Sequence, residues 1–168
     1  MYPENDFSLD GLLKLAALSY EEEPFDCLVI DPWNEVDHSS QSGSRDDQYI
    51  GKCLTKLRRF IREHNIHAFV VAHPVNPSKQ EREENGNYKQ PTLNEISGGA
   101  TWRAKCDYGW VAHRHPMENV CKIIVQKIKY KDMGQVGSVE FDYDRTSGRF
   151  KHVNKTEYIM PNEIESPF

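Results

Sequence analysis

The sequence has 168 residues and a formal net charge of -5, from 21 lysines and arginines against 26 aspartates and glutamates. That length suits one domain with its own hydrophobic core. The acidic balance excludes a global basic field, so any site for a polyanion must be a local patch. Cys27, Cys53, Cys106 and Cys121 form no CxxC pair, and at least three fall in apolar periodic segments, as expected of small thiols in a reduced cytosolic protein. No apolar run is of membrane-spanning length, and residues 1–10 lack the basic start and apolar core of a secretory signal. A soluble, intracellular chain is expected.

Ser8 can cap a first helix running to about Tyr20, with Leu12, Leu13, Ala16 and Tyr20 on one side, before Glu21, Glu22, Glu23 and Pro24 stop it. Residues 25–31, Phe-Asp-Cys-Leu-Val-Ile-Asp, form a short apolar run ending in a carboxylate, the pattern of a parallel strand buried on both faces. Residues 38–45, with four serines and a glycine, read as a flexible loop, and Ser44 with Asp46 and Asp47 makes a helix start. Tyr49, Ile50, Cys53, Leu54, Leu57, Phe60 and Ile61 then recur at helical spacing, leaving Lys52, Lys56, Arg59 and Arg62 on a solvated face. Asn65 ends that helix, and residues 67–73 read as a second buried strand, so strand, helix and strand make a parallel crossover unit.

From Pro74 to Pro91 the composition turns polar and cannot pack a core, which predicts a long mobile loop. Residues 93–105 read as a short helical segment opened around Ser97-Gly98-Gly99, and residues 108–112 as a strand. Residues 120–130 and 136–143 look like an antiparallel pair across the turn 131–134. One more turn follows in 144–150 with a possible short final strand. The polar tail 151–168 is expected to fray.

Three features carry chemistry. Asp31 closes an apolar strand, where a nucleotide motor holds Mg²⁺ through its water shell; taken alone, an aspartate there is as readily a turn former. His73 also closes a strand, so it falls on the same sheet edge as Asp31 if the strands are parallel, and could sense a terminal phosphate; an isolated histidine before a proline is otherwise just a satisfied polar group. His64, His67, His113 and His115 keep that second reading, since no spacing among them, the cysteines and the acids makes a metal site. Lys127, Lys129 and Lys131 alternate to one face at a hairpin tip, where they could reach a phosphate on a neighbouring subunit or simply guard an exposed edge against strand pairing.

The order and spacing of these pieces resemble the hexameric RecA-like helicases that include DnaB, the phage primase-helicases and mitochondrial Twinkle. Residues 28–34, Leu-Val-Ile-Asp-Pro-Trp-Asn, are similar to the Walker B strand of that family, and residues 70–74, Val-Val-Ala-His-Pro, to the strand whose terminal residue senses the γ-phosphate. Residues 96–114 resemble the helix and strand that line the central channel and return to the core. Residues 125–130, with Gly137 and 139–142, resemble the hairpin that carries the trans-acting basic residues. The resemblance covers residues 8–150. It implies an α/β fold, a partial RecA-like core with a mostly parallel sheet, an antiparallel C-terminal hairpin and flanking helices, with 151–168 as a polar tail.

It further implies the C-terminal half of an NTP-dependent replicative DNA helicase motor, using Mg²⁺ and ATP or another NTP. Asp31 would serve the metal-bound nucleotide, His73 would sense phosphate, and Lys127 and Lys129 would act on the next subunit of a homo-oligomeric ring. The loop 75–90 would face single-stranded DNA through Lys79, Arg82 and Lys89, diluted by Glu81, Glu83 and Glu84. A cytoplasmic location in a bacterial or phage-infected cell is also implied.

Two departures stand against the family pattern. Lys129 sits where an arginine finger is usual, which gives up a planar bidentate fork for a point charge. Nothing matches G-x-x-x-x-G-K-[ST], the loop whose amides and lysine cradle phosphates, and the usual catalytic glutamate belongs near that missing half; Glu35 is the nearest substitute, and a solvated loop acid explains it as well. The alternative is a non-enzymatic, P-loop-less RecA-like module that binds single-stranded DNA or docks on a helicase ring.

Overall fold

The computed structural model describes residues 6–39, 45–75, 90–114 and 119–157. They fall into two compact units, one built from residues up to His73 together with Ile96–Lys105, the other from Pro74–Glu95 and the chain from Cys106 onward.

In the first unit, helix α1 spans Leu9–Glu22, and Ser8 caps it as expected, its hydroxyl accepting from the Gly11 N–H at 3.1 Å. Strand β1 is Cys27–Ile30, helix α2 Asp46–Glu63 and strand β2 His67–Val70. β1 and β2 pair in parallel, Val29 opposite Phe69 and Ile30 opposite Val70, so the crossover unit read from the sequence is present. α2 buries Tyr49, Ile50, Cys53, Leu57 and Phe60, the stripe its periodicity predicts. Its N-cap is Arg45, whose side chain makes no capping bond, and Ser44 lies outside the described residues. Asn65 at φ 53° turns the chain out of the helix in the left-handed conformation that asparagine tolerates.

The core of this unit gathers Leu9, Ile30, Trp33, Val36, Tyr49, Ile50, Cys53, Leu57 and Trp102. Trp102 comes from helix α3, Ala100–Lys105, opened by Gly98 and Gly99 at positive φ. A side chain at Gly98 would drive a Cβ to 2.8 Å from Ile50 Cγ1, so glycine is required there by both conformation and space. The Trp102 indole meets Trp33 edge to face at 5.4 Å and donates to the Ser97 carbonyl at 2.7 Å, which satisfies its one polar atom.

One expectation fails in this unit. Residues 25–31 and 67–73 were predicted as strands buried on both faces, yet only one face is covered. Leu28, Ile30, Ala68 and Val70 turn into the core, while Cys27, Val29 and Phe69 on the opposite face are exposed. The apolar composition suits a two-sided strand. Among the described residues, the second layer is absent.

The second unit is a four-stranded antiparallel sheet in the order β3 Tyr108–Arg114, β4 Val120–Ile128, β5 Gly137–Asp144 and β6 Arg149–Glu157. The antiparallel part is thus larger than a C-terminal hairpin, and pairing continues past residue 150. Ile124 faces Ser138 across β4 and β5, and both are buried. The turn Leu93–Glu95 is tied to β4 by Gln126, whose amide oxygen accepts from the Leu93 N–H at 2.9 Å and whose amide nitrogen donates to the Pro91 carbonyl at 3.0 Å. Leu93 packs over Gly109, where any Cβ would overlap its side chain. The register shifts between Gly109 and Trp110, a bulge beside that contact. On the other face Phe141, Tyr143, Phe150 and His152 form edge-on and tilted ring contacts, with the Arg114 guanidinium 4.7 Å from the Tyr143 ring centre.

All four cysteines are free, with Cys53 and Cys121 buried, Cys106 half-buried and Cys27 exposed. Burial pushes the Cys53 and Cys121 thiols up from the ordinary cysteine value. Among the described residues no helix is long and apolar enough to cross a membrane.

Candidate functional site

Parallel pairing brings the C-terminal ends of β1 and β2 to one edge, because both strands run the same way. The ladder continues past the strands: the Val71 N–H donates to the Ile30 carbonyl at 2.9 Å and the Trp33 N–H to the Val71 carbonyl at 2.7 Å. After Asp31 the chain passes through a cis peptide to Pro32 and into a 3-10 turn, Trp33–Glu35. Trp33 anchors this turn in the core at 4 % exposure. The His73 N–H donates to the Asn34 side-chain oxygen at 3.0 Å. Asp31 and His73 therefore stand on one edge, joined through Asn34 and Trp33.

Asp31, Glu35 and His73 are all exposed, and no hydrogen bond or ion pair engages their side chains among the described residues. Asp31 and Glu35 also line one end of a groove of about 480 Å³ between α1 and β1, whose walls are otherwise mainly apolar. Two carboxylates open to water suit a hard cation that keeps most of its own water, as Mg²⁺ does when it bridges one or two acids to phosphate. No group of three or more His, Cys, Asp or Glu forms a cage among the described residues. Among the described residues these carboxylates therefore make no self-sufficient protein site for a metal.

Two residues here were not singled out as site residues from the sequence. Asn34 fixes the His73 backbone. His38 stacks at 5.3 Å on Trp33 and shares a 3.0 Å hydrogen bond between its Nδ1 and the Tyr49 hydroxyl, which braces the 3-10 turn. Polar residues just past a strand-end proline were the only available signal. Their partners lie far along the chain.

Lys127 and Lys129 belong to the second unit. The predicted alternation of Lys127, Lys129 and Lys131 on one strand face does not occur, because β4 ends at Ile128 and Lys131 begins a 3-10 turn, Lys131–Met133. The Lys129 ammonium instead pairs with the Asp107 carboxylate at 2.8 Å and sits 5.1 Å from the Tyr130 ring centre. Asp107, as hydrogen-bond acceptor, holds the Lys129 ammonium above the ordinary lysine value. Lys127 lies half-buried on β4 opposite Gly109. Lys79, Arg82 and Lys89 lie outside the described residues.

No protein-family model matches the chain. It is 36% identical over 148 residues to a Twinkle homolog protein, chloroplastic/mitochondrial, of Arabidopsis thaliana, covering 85% of this chain and 20% of that protein. The chain thus spans about a fifth of the length of this relative. The RadB recombinase shares its fold with a TM-score of 0.52 at 14% identity, over 84% of this chain and 59% of that one. The chain is thus a RecA-like α/β domain, related in sequence to part of a Twinkle homolog protein.

Proposed function

We propose that this chain supplies the metal-holding and phosphate-sensing edge of an NTP-driven DNA helicase motor. The observation that supports it most is the shared strand-end edge, where Asp31 and His73 are both solvent-open and tied together through Asn34. Asp31 would hold Mg²⁺ through its water shell, and that ion would supply charge neutralisation at the phosphate. His73 would hydrogen-bond the terminal phosphate and pass its loss to the chain that follows. Glu35, on the same edge, is the candidate for orienting the attacking water. The phosphate-cradling loop is not among these residues, so nucleotide binding requires one from another segment.

Lys127 and Lys129 would act on a neighbouring subunit of a ring, and Lys79, Arg82 and Lys89 would contact single-stranded DNA. Lys129 can do so only by exchanging Asp107 for a phosphate. That ion pair favours a second reading, a non-enzymatic RecA-like module that binds DNA or docks on a helicase ring.

Titration with a fluorescent ATP analogue and Mg²⁺ separates these readings. The chain alone is expected not to bind in the micromolar range; micromolar binding would sink the claim of an incomplete site. In a ring-competent protein that carries a phosphate loop, Asp31→Asn or His73→Ala is expected to abolish DNA-stimulated hydrolysis with the fold retained. Normal turnover in either variant refutes the roles assigned.

A further inference from the structure

The chain carries a net charge of -5, yet one surface of the first unit gathers cations. Between Gln48 and Arg62, helix α2 places Lys52, Lys56, Arg58, Arg59 and Arg62, and no aspartate or glutamate. Its acids lie only at its ends, Asp46 and Asp47 at the start and Glu63 at the finish. Helix α3 adds Arg103 and Lys105 and again no acid. The two helices are tied together at this surface: the Arg58 guanidinium donates to the Lys105 carbonyl, and the Lys105 ammonium to the Thr55 hydroxyl at 2.9 Å. Asp10 matches Lys56 at 2.6 Å, while Lys52, Arg59 and Arg62 stand exposed with no ion pair among the described residues.

This arrangement works against the helix. Lys52 and Lys56, Lys56 and Arg59, Arg59 and Arg62, and Arg58 and Arg62 are three or four residues apart, where like charges repel across one turn. A merely solvated helix face intersperses the signs, as α1 does with Asp10, Lys14, Glu21 and Glu22. A basic run without acids is the footprint of a polyanion. From Lys52 to Arg62 it spans about 15 Å of helix, the axial rise of roughly four phosphates along one strand of a duplex. The aromatic side chains of these two helices, Tyr49, Phe60 and Trp102, are all buried. The surface therefore offers phosphate contacts and no ring on which an unpaired base could stack.

We infer that the α2–α3 surface binds the phosphate backbone of double-stranded DNA, without reading its sequence, through Lys52, Arg59, Arg62 and Lys105. It is separate from the strand-end edge. Arg59 and Arg62 lie near the end of α2, where the chain turns towards the start of β2, whereas Asp31 and His73 follow the far ends of the strands. Duplex binding here requires neither nucleotide nor a ring, and it differs from the single-strand contact proposed for residues 75–90.

The test is fluorescence anisotropy of this chain with a labelled mixed-sequence DNA duplex and with the matching single strand, from about 50 to about 200 mM salt. The duplex is expected to bind more tightly, with log K falling against log salt by about 0.9 for each phosphate neutralised. Lys52→Gln, Arg59→Gln and Arg62→Gln combined are expected to weaken duplex binding roughly tenfold or more and to flatten that slope by about 0.9 per cation removed. The thermal midpoint of this variant is expected to hold or rise, since like-charge repulsion is relieved. Arg59→Lys with Arg62→Lys is expected to bind within about twofold of the unmodified chain, because a backbone contact requires the charge and not the guanidinium fork.

No duplex binding at about 50 mM salt overturns the inference, as does a glutamine variant that binds normally. Tighter binding of the single strand overturns it as well. Poly-glutamate bound more tightly than the duplex assigns the surface to an acidic protein instead. A large fall in midpoint in the glutamine variant also overturns it, since these cations would then serve the fold.

Discussion

The two units use apolar strands in opposite ways. In the antiparallel sheet each strand from β4 to β5 finds neighbours on both edges, and Leu93 and the aromatic rings occupy its faces. In the β1–β2 pair an equally apolar sequence leaves half its side chains bare. Hairpin-connected strands can complete each other locally, because a short turn returns the chain beside itself. A parallel pair must borrow its layers from distant chain, and here one of them is not among the described residues. The bare face, and not the buried one, ends in Asp31.

Each unit has its own buried residues, so core truncations are expected to act within one and spare the other. Trp33→Ala removes the anchor of the strand-end turn and its edge contact with Trp102, and is expected to cost about 3–5 kcal/mol. Ile124→Ala, at 4% exposure in the sheet, is expected to cost about 2–5 kcal/mol. Amide exchange during denaturant unfolding checks both: Trp33→Ala should release α2 and β2 before β3–β5, and Ile124→Ala the reverse. A single shared transition in both variants would break the comparison.

Gly109→Ala sharpens it more finely. The added Cβ overlaps Leu93, and the sheet is expected to lose about 1–3 kcal/mol, with exchange at Leu93 rising first. The smallest effect lies in the β5–β6 turn, where the Ser147 hydroxyl and the Thr146 and Ser147 amides hold the Asp144 carboxyl below the ordinary aspartate value. A depressed carboxyl stabilises the fold above its unfolded pKa, and that contribution is lost as pH falls through the folded one. Ser147→Ala is therefore expected to move the Asp144 titration upward in an NMR series and to weaken the sheet slightly above about pH 4, a difference from the unmodified chain that fades as pH falls below it.

How much of this was legible depended on range. The α2 stripe, the Ser8 cap, the glycine opening before α3 and the hairpin from β4 to β5 rest on residues a few positions apart, where propensity and period act directly. Asp31 and His73 were legible as strand ends. That they share an edge needed the parallel pairing, and Asn34 and His38 were invisible as braces because their partners, His73 and Tyr49, are 39 and 11 residues away.

The lysines show the limit from the other side. Period two placed Lys127, Lys129 and Lys131 on one strand face, but the strand stops at Ile128, and Asp107, 22 residues earlier, captures Lys129. The sequence by itself determined the helices α1 and α2, the strands β1 and β2 and the residues that close them, since these follow from local chemistry, while the RecA-like order of the motifs came from resemblance to a known family. Only the tertiary structure decided which face of the parallel pair is bare and which charge finds a partner. Burial and ion pairing are set by what the rest of the chain brings alongside, and no local pattern encodes the neighbour.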